Sequence, residues 1–198
     1  ALELHCESVE TFFAHVPGLK VVIPSHPYDA KGLLISAIRD PDPVIFLEPM
    51  RVYRAIKEEV PDGEYTVPIG KAEVEQEGSD LTVISYGAML KYTKEALEKS
   101  DYSAEIIDIR TIKPLDEETI IKSVEKTGRC VIVNEAPKTC GFAAEIIARI
   151  NEKAFFSLEA PIERVTGYDV GFPFAKLENY YLPDEKRILK AVNKVMSQ

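Results

Sequence analysis

The sequence predicts an α/β protein: its pattern specifies a doubly wound, mostly parallel sheet preceded by the remnant of another α/β unit. Two observations carry this. From about residue 70, the apolar runs "LTVISYG" (81–87), "AEIIDI" (104–109), "CVIVNE" (130–135) and "PIERVTG" (161–167) alternate with helical patterns at 88–99, 116–127 and 141–154. Strands that alternate with helices lie parallel, because right-handed crossovers carry the helices onto both faces of the sheet. Ahead of them, residues 1–48 hold a single strand-helix-strand unit. One such unit cannot cover both faces of its own sheet, so it reads as the tail of a larger domain, completed by a partner or cut from a longer chain.

In that first block, a short helical pattern "SVETFFAHV" precedes a buried strand in "LKVVIP" (19–24). Pro27 suits the first turn of the next helix, and Leu33, Leu34, Ala37 and Ile38 give it an apolar stripe. "DPDP" stops that helix, and "VIFLE" (44–48) is a second strand. Residues 49–69, charged and carrying Pro49, Pro61, Gly63 and Pro68, read as a linker. Residues 70–198 read as a complete domain: "KAEVEQEG" alternates like an exposed edge strand, and a helix near 185–196 closes the fold. Asp116 is a good N-cap and Gly128 a good stop for the helix between them.

Composition narrows the function. The chain has 198 residues, 45% of them hydrophobic, and a formal net charge of -9, with no basic run long enough to follow a phosphate backbone. Nucleic acid is excluded as an expected partner, and a basic macromolecule is favoured by the field. Cys6, Cys130 and Cys140 form an odd set without CxxC spacing, which fits neither a disulfide framework nor a zinc site. With no apolar stretch near the roughly 20 residues that span a bilayer and no signal-peptide order at the start, a soluble cytoplasmic protein without a membrane partner is expected.

The loop in "VIVNEAPKTCGFAAEI" lies where α/β proteins often hold phosphate, but only Gly141 fits the glycine requirement and Glu135 would repel an anion there. Tight strand-to-helix packing is the favoured reading of Gly141. His5, His15 and His26 lack metal-ligand spacing, and Ser85-Tyr86-Gly87 is not a serine-hydrolase elbow. The "RDPDP" carboxylates of Asp40 and Asp42 suit local backbone amides. Tyr168, Phe172, Phe174, Tyr180 and Tyr181 crowd a long loop, "GYDVGFPFAKLENYYLPD", and either pack on their own domain or form a subunit interface.

Taken in order, "FFAHVPGLKVVIPSHPYDAKGLLISAIRDPDPVIFLEP", "EEVPDGEYTVPIGKAEV", "DIRTIKPLDEETI", "KTGRCVIVNEAPKTCGFAAEI" and "LEAPIERVTGYDVGFPFA" resemble the beta subunit of the thiamine-diphosphate-dependent 2-oxo acid dehydrogenase component, the pyruvate and branched-chain enzymes. The resemblance covers essentially the whole chain. Transketolase itself explains "EEVP" and "EAPKTCGF" less closely. The resemblance implies the C-terminal part of that subunit: residues 1–48 from the end of a pyrimidine-binding domain, 49–69 a linker, and 70–198 a transketolase C-terminal-like domain. It implies oxidative decarboxylation of pyruvate or a branched-chain 2-oxo acid and acyl transfer to lipoamide, in a multienzyme complex.

Further implications follow from the same resemblance. Thiamine diphosphate and magnesium belong to the full assembly, and none is expected tightly bound to this fragment, which lacks the glutamate that acts on the aminopyrimidine and is expected to be inactive alone. "HCES" matches the family's His-Ser-Gln-Ser, so His5 corresponds to the catalytic histidine near the cofactor, with Cys6 and Glu7 departing from the pattern. The turn at Ala37, Asp40 and Asp42 corresponds to a potassium site made of backbone carbonyls. "SLEAP" corresponds to a docking patch for the lipoate-bearing acyltransferase core, which nominates Phe155 and Glu159. The alpha subunit and a second beta subunit are the other implied partners. The alternative is a non-catalytic assembly module for dimerisation and core docking. Cys140 stands where relatives often carry glycine, and cysteine tolerates positive φ poorly.

Overall fold

The computed structural model describes residues 7–173 and 176–198. The N-terminal block forms α1 (Glu10–Ala14), β1 (Lys20–Val22), α2 (Pro27–Arg39) and β2 (Val44–Phe46). Pro27 occupies the first turn of α2, where its ring presets φ and its missing N–H is no loss. Pro41 forces Asp40 out of the helical region, to ψ 134°, and α2 stops there.

The expected stripe on α2 is only partly buried. Leu33 is fully buried, but Leu34 and Ile38 are 44% and 75% exposed. The sheet beneath is three short strands wide, so it receives one ridge of the helix: Asp29, Gly32 and Leu33. Leu33 packs there with Val22 and with Val67 from the 49–69 stretch, whose Tyr65 stacks on Tyr28 at 4.5 Å.

The chain then forms β3 (Glu73–Gln76), β4 (Leu81–Ser85), α3 (Ala88–Leu97), β5 (Ala104–Asp108), β6 (Thr111–Lys113), α4 (Glu117–Thr127), β7 (Cys130–Pro137), α5 (Phe142–Ala154), β8 (Glu163–Gly167), α6 (Glu178–Tyr181) and α7 (Glu185–Met196). Five strands make one sheet in the order β3-β5-β4-β7-β8, with β3 antiparallel at the edge and the rest parallel. α3 and α7 cover one face through Ala96, Leu97, Ile188 and Val192. α4 and α5 cover the other through Ile120, Val124, Ile146 and Ile150. β4 and β5 are buried at every position, as central parallel strands are, and bury Thr82, Ser85, Glu105 and Asp108 along with their apolar residues.

Helix ends obey local chemistry. The Asp116 carboxylate accepts the Thr119 N–H at the start of α4, and Gly128 closes it in the left-handed region. Asp184 accepts the Arg187 N–H, and Ile188, Ala191, Val192 and Val195 then recur at the spacing of one helix face.

One strand is absent from the sequence reading. β6 leaves the C-terminal block and pairs antiparallel with β1, giving a three-stranded sheet β2-β1-β6. The N-terminal unit is thereby stitched to the rest of the chain, and the seam between the two sheets holds two cavities.

Candidate active site

From β4 the chain crosses through α3 to β5 on one side, and later passes through α4 to β7 on the other. The two helices lie on opposite faces. The carboxyl ends of β4 and β7 are therefore the point where the winding reverses, and a crevice opens at such a point in open α/β sheets. A cavity of about 630 Å³ lies here, bordered by Tyr86 just after β4 and Glu135 near the end of β7. The N-terminal block supplies the opposite wall with Glu10, Ile23 and Leu47, and the 49–69 stretch adds Arg51.

Gly87 makes the close approach possible. Its φ of 57° favours glycine, and a Cβ there would stand 2.9 Å from Ile23 Cδ1 on the cavity wall.

The cavity's electrostatics are set by burial. Glu10 is 3% exposed on the inward side of α1, and the Tyr86 hydroxyl donates to its Oε1 at 2.8 Å. Burial pushes the Glu10 carboxyl up, offset in part by its backbone hydrogen bond and the Tyr86 hydroxyl. Burial raises Glu135 to about 7, with Arg51 opposing the rise and Glu10 adding to it. Tyr86 is held neutral by the same desolvation and stays a hydrogen-bond donor. A carboxyl that titrates near neutrality beside a neutral phenol and one guanidinium can give or take a proton and can orient a small anion.

His5 lies outside the described residues. Two positions on, Glu7 lines the same cavity, and its Oε1 accepts the Phe172 N–H at 3.4 Å. Phe172 also packs on buried Tyr181, whose ring meets Tyr168 as well. Part of the aromatic loop thus packs on its own domain, while Tyr180 is 77% exposed; Phe174 lies outside the described residues.

Gly141 precedes α5, and a Cβ there would stand 2.5 Å from the Pro137 carbonyl oxygen, so the strand-to-helix turn is closely packed at this position. Cys140 has φ 55°, the conformation that a glycine would take without strain.

The remaining nominated residues lie apart from the cavity. Ala37, Asp40 and Asp42 sit at the end of α2, where the Ala37 carbonyl accepts the Asp40 N–H and Lys20 pairs with both carboxylates. Asp40 also accepts the Asp42 N–H at 2.9 Å, as expected for so sharp a turn. Glu159 lies at the amino end of β7, the end of the sheet opposite the cavity, where it pairs with Arg129 and its N–H donates to the Gly128 carbonyl. Phe155 contacts Phe156 edge to face, and Phe156 is 99% exposed.

Sequence reasoning missed Glu10 and Tyr86, and treated Glu135 only as a charge. The signals were present: Glu10 shares a helix face with Phe13 and Ala14, and Glu135 stands two residues beyond the apolar strand run Cys130 to Val133.

Residues 2–56 match the transketolase pyrimidine-binding domain and residues 70–188 match the transketolase C-terminal domain. The chain is 55% identical, over 98% of its length, to a protein of Bacillus subtilis described as pyruvate dehydrogenase E1 component subunit beta, and 52% identical to one so described from Acholeplasma laidlawii. The chain spans about 61% of the length of each of these curated relatives. A solved structure described as a split gene transketolase, inactive beta4 tetramer, superimposes with a TM-score of 0.78 at 25% identity, over 95% of this chain and 60% of that one. With more than half its length matching that domain in sequence, the chain belongs to the transketolase C-terminal domain family, and it carries part of a transketolase pyrimidine-binding domain ahead of it.

Proposed function

We propose that the chain serves as the C-terminal part of the beta subunit of a thiamine-diphosphate-dependent pyruvate dehydrogenase component. The observation that carries this is the 55% identity over 98% of the chain to a protein described as that subunit. The cavity at the winding reversal supports it, since Glu135 and Glu10 supply exchangeable protons there and Arg51 suits the carboxylate of a 2-oxo acid. His5 is proposed to hand a proton to the transferred acyl group's carrier, a role that suits an imidazole with an unperturbed pKa near 6.5. The carbonyls of Ala37, Asp40 and Asp42 are the proposed potassium ligands.

The cofactor's diphosphate and magnesium do not fit the described residues. Arg51 is the one cationic side chain among the described residues lining the cavity. That end of the cofactor is assigned to the alpha subunit.

A second reading, a module for assembly only, is favoured by the exposed Phe155–Phe156 pair beside Glu159, which suits a basic, partly apolar segment such as one from the acyltransferase core. Calorimetric titration of the chain with the alpha subunit separates the two. The catalytic reading expects binding that strengthens with thiamine diphosphate and magnesium, and no decarboxylation by the chain and cofactor alone. Binding indifferent to cofactor supports the assembly reading, and turnover of pyruvate by the isolated chain refutes the proposed division of labour.

A further inference from the structure

The second cavity, of about 600 Å³, opens on the other side of β4 and is lined by His26 and Asp29 from the N-terminal block and by Glu75, Lys94 and Arg110 from the C-terminal block. Asp108, at the end of β5, lies fully buried beside it. Donor atoms of His26, Glu75 and Asp108 all lie within 4.8 Å of one another. This cluster owes nothing to the cavity described above.

Its carboxylates are arranged alike. Glu75 gives Oε2 to Lys94 at 2.8 Å and turns Oε1 to His26 Nε2 at 3.1 Å. Asp108 gives Oδ1 to the Arg110 N–H at 3.1 Å, and its Oδ2 has no partner. Asp29, also fully buried, gives Oδ1 to the Arg110 guanidinium at 3.1 Å, and its Oδ2 has no hydrogen bond while standing 3.5 Å from His26 Nε2. Each acid is thus anchored through one oxygen and leaves the other for the space around the imidazole nitrogen. Anchored ligands of this kind are how metal sites fix first-row ions, whereas a buried carboxylate oxygen left without a partner is costly to a fold that gains nothing from it.

The geometry points to a divalent transition-metal site, of the zinc class, formed by His26 Nε2, Glu75 Oε1 and a carboxylate oxygen of Asp108, with Asp29 as a fourth ligand or an acceptor for metal-bound water. One imidazole among carboxylates favours such an ion over magnesium or calcium, which take oxygen ligands. Ligands at about 2.1 Å place tetrahedral donor atoms about 3.4 Å apart, close to the 3.1 Å that separates His26 Nε2 from Glu75 Oε1 and the 3.5 Å that separates it from Asp29 Oδ2. The cavity supplies the entry path. Because its ligands come from both blocks, the ion would clamp the seam between the two sheets, at a place remote from Glu135.

The test is zinc titration into the full 198-residue chain carrying Cys6→Ser and Cys140→Ser, followed calorimetrically, with cobalt as a spectroscopic probe. The expected result is one ion per chain, a cobalt spectrum of nitrogen and oxygen ligation, and a rise in Tm with zinc. His26→Gln and Asp108→Asn should each weaken zinc binding at least tenfold, and His15→Gln should leave it unchanged. Circular dichroism checks that each variant folds, and Glu75→Gln stands in for one that does not. Absence of stoichiometric binding, or binding that all three ligand variants leave intact, overturns the site.

Discussion

The two cavities along the seam bury carboxylates in the same kind of crevice, yet leave a glutamate of each, Glu135 and Glu75, in opposite states. Around Tyr86 the acids Glu10 and Glu135 face one guanidinium, and burial wins: both are raised, Glu135 to about 7. Around His26, Glu75 is lowered to about 2, first by its hydrogen bond to His26 and then by Lys94 against the opposing cost of burial. His26 in turn is raised, mainly by Glu75. The fully buried acids of the second cavity follow burial as well: Asp108 is raised to about 7, and Asp29 is raised although Arg110 and His26 oppose it. Glu75 alone, touched by both His26 and Lys94, has enough countercharge to overcome its burial.

The largest expected effect comes from removing countercharge at the second cavity. Arg110 pairs with fully buried Asp29 and with Glu73, so Arg110→Met strands a buried carboxylate and should cost about 3–5 kcal/mol in denaturant unfolding. A loss below about 1 kcal/mol would show that Asp29 does not depend on that charge.

At the first cavity the sign reverses. The native state holds the Glu135 proton up to about pH 7, while the unfolded chain releases it near 4.5, so this group lowers stability progressively as pH rises through that window. Glu135→Gln should flatten that slope and raise stability at pH 8 by about 2 kcal/mol, read from unfolding curves across pH. An unchanged slope would place the titration elsewhere.

Smaller effects sharpen the contrast between seam and surface. Cys140→Gly should stabilise the chain by about 0.5–1 kcal/mol, because relief of the left-handed backbone exceeds the entropy that glycine adds to the unfolded state. Phe156→Ser should leave stability within about 0.5 kcal/mol, its ring being solvent-exposed, while weakening capture of a basic partner segment in a pull-down with the acyltransferase core. Equal capture by both forms would remove Phe156 from that surface.

The alternation of strands and helices, the caps at Asp116 and Gly128 and the stop at "DPDP" were legible because each depends on neighbours within a few residues. β6 was not, since "TIK" is three residues long and its pairing with β1 spans the chain. Leu34 and Ile38 misled because periodicity shows which side of a helix is apolar and not how wide a sheet lies beneath it. The second cavity was invisible for the same reason: His26 and Glu75 stand 49 residues apart, and no local spacing announces a cluster built from three segments. His5 was legible only through family resemblance.

Carboxyl-detected carbon NMR of the glutamate side chains across pH tests the central claim directly. Glu135 is expected to titrate at about 7 and Glu75 at about 2 in one folded chain. Both midpoints falling together near the ordinary glutamate value, about 4.3, would contradict it.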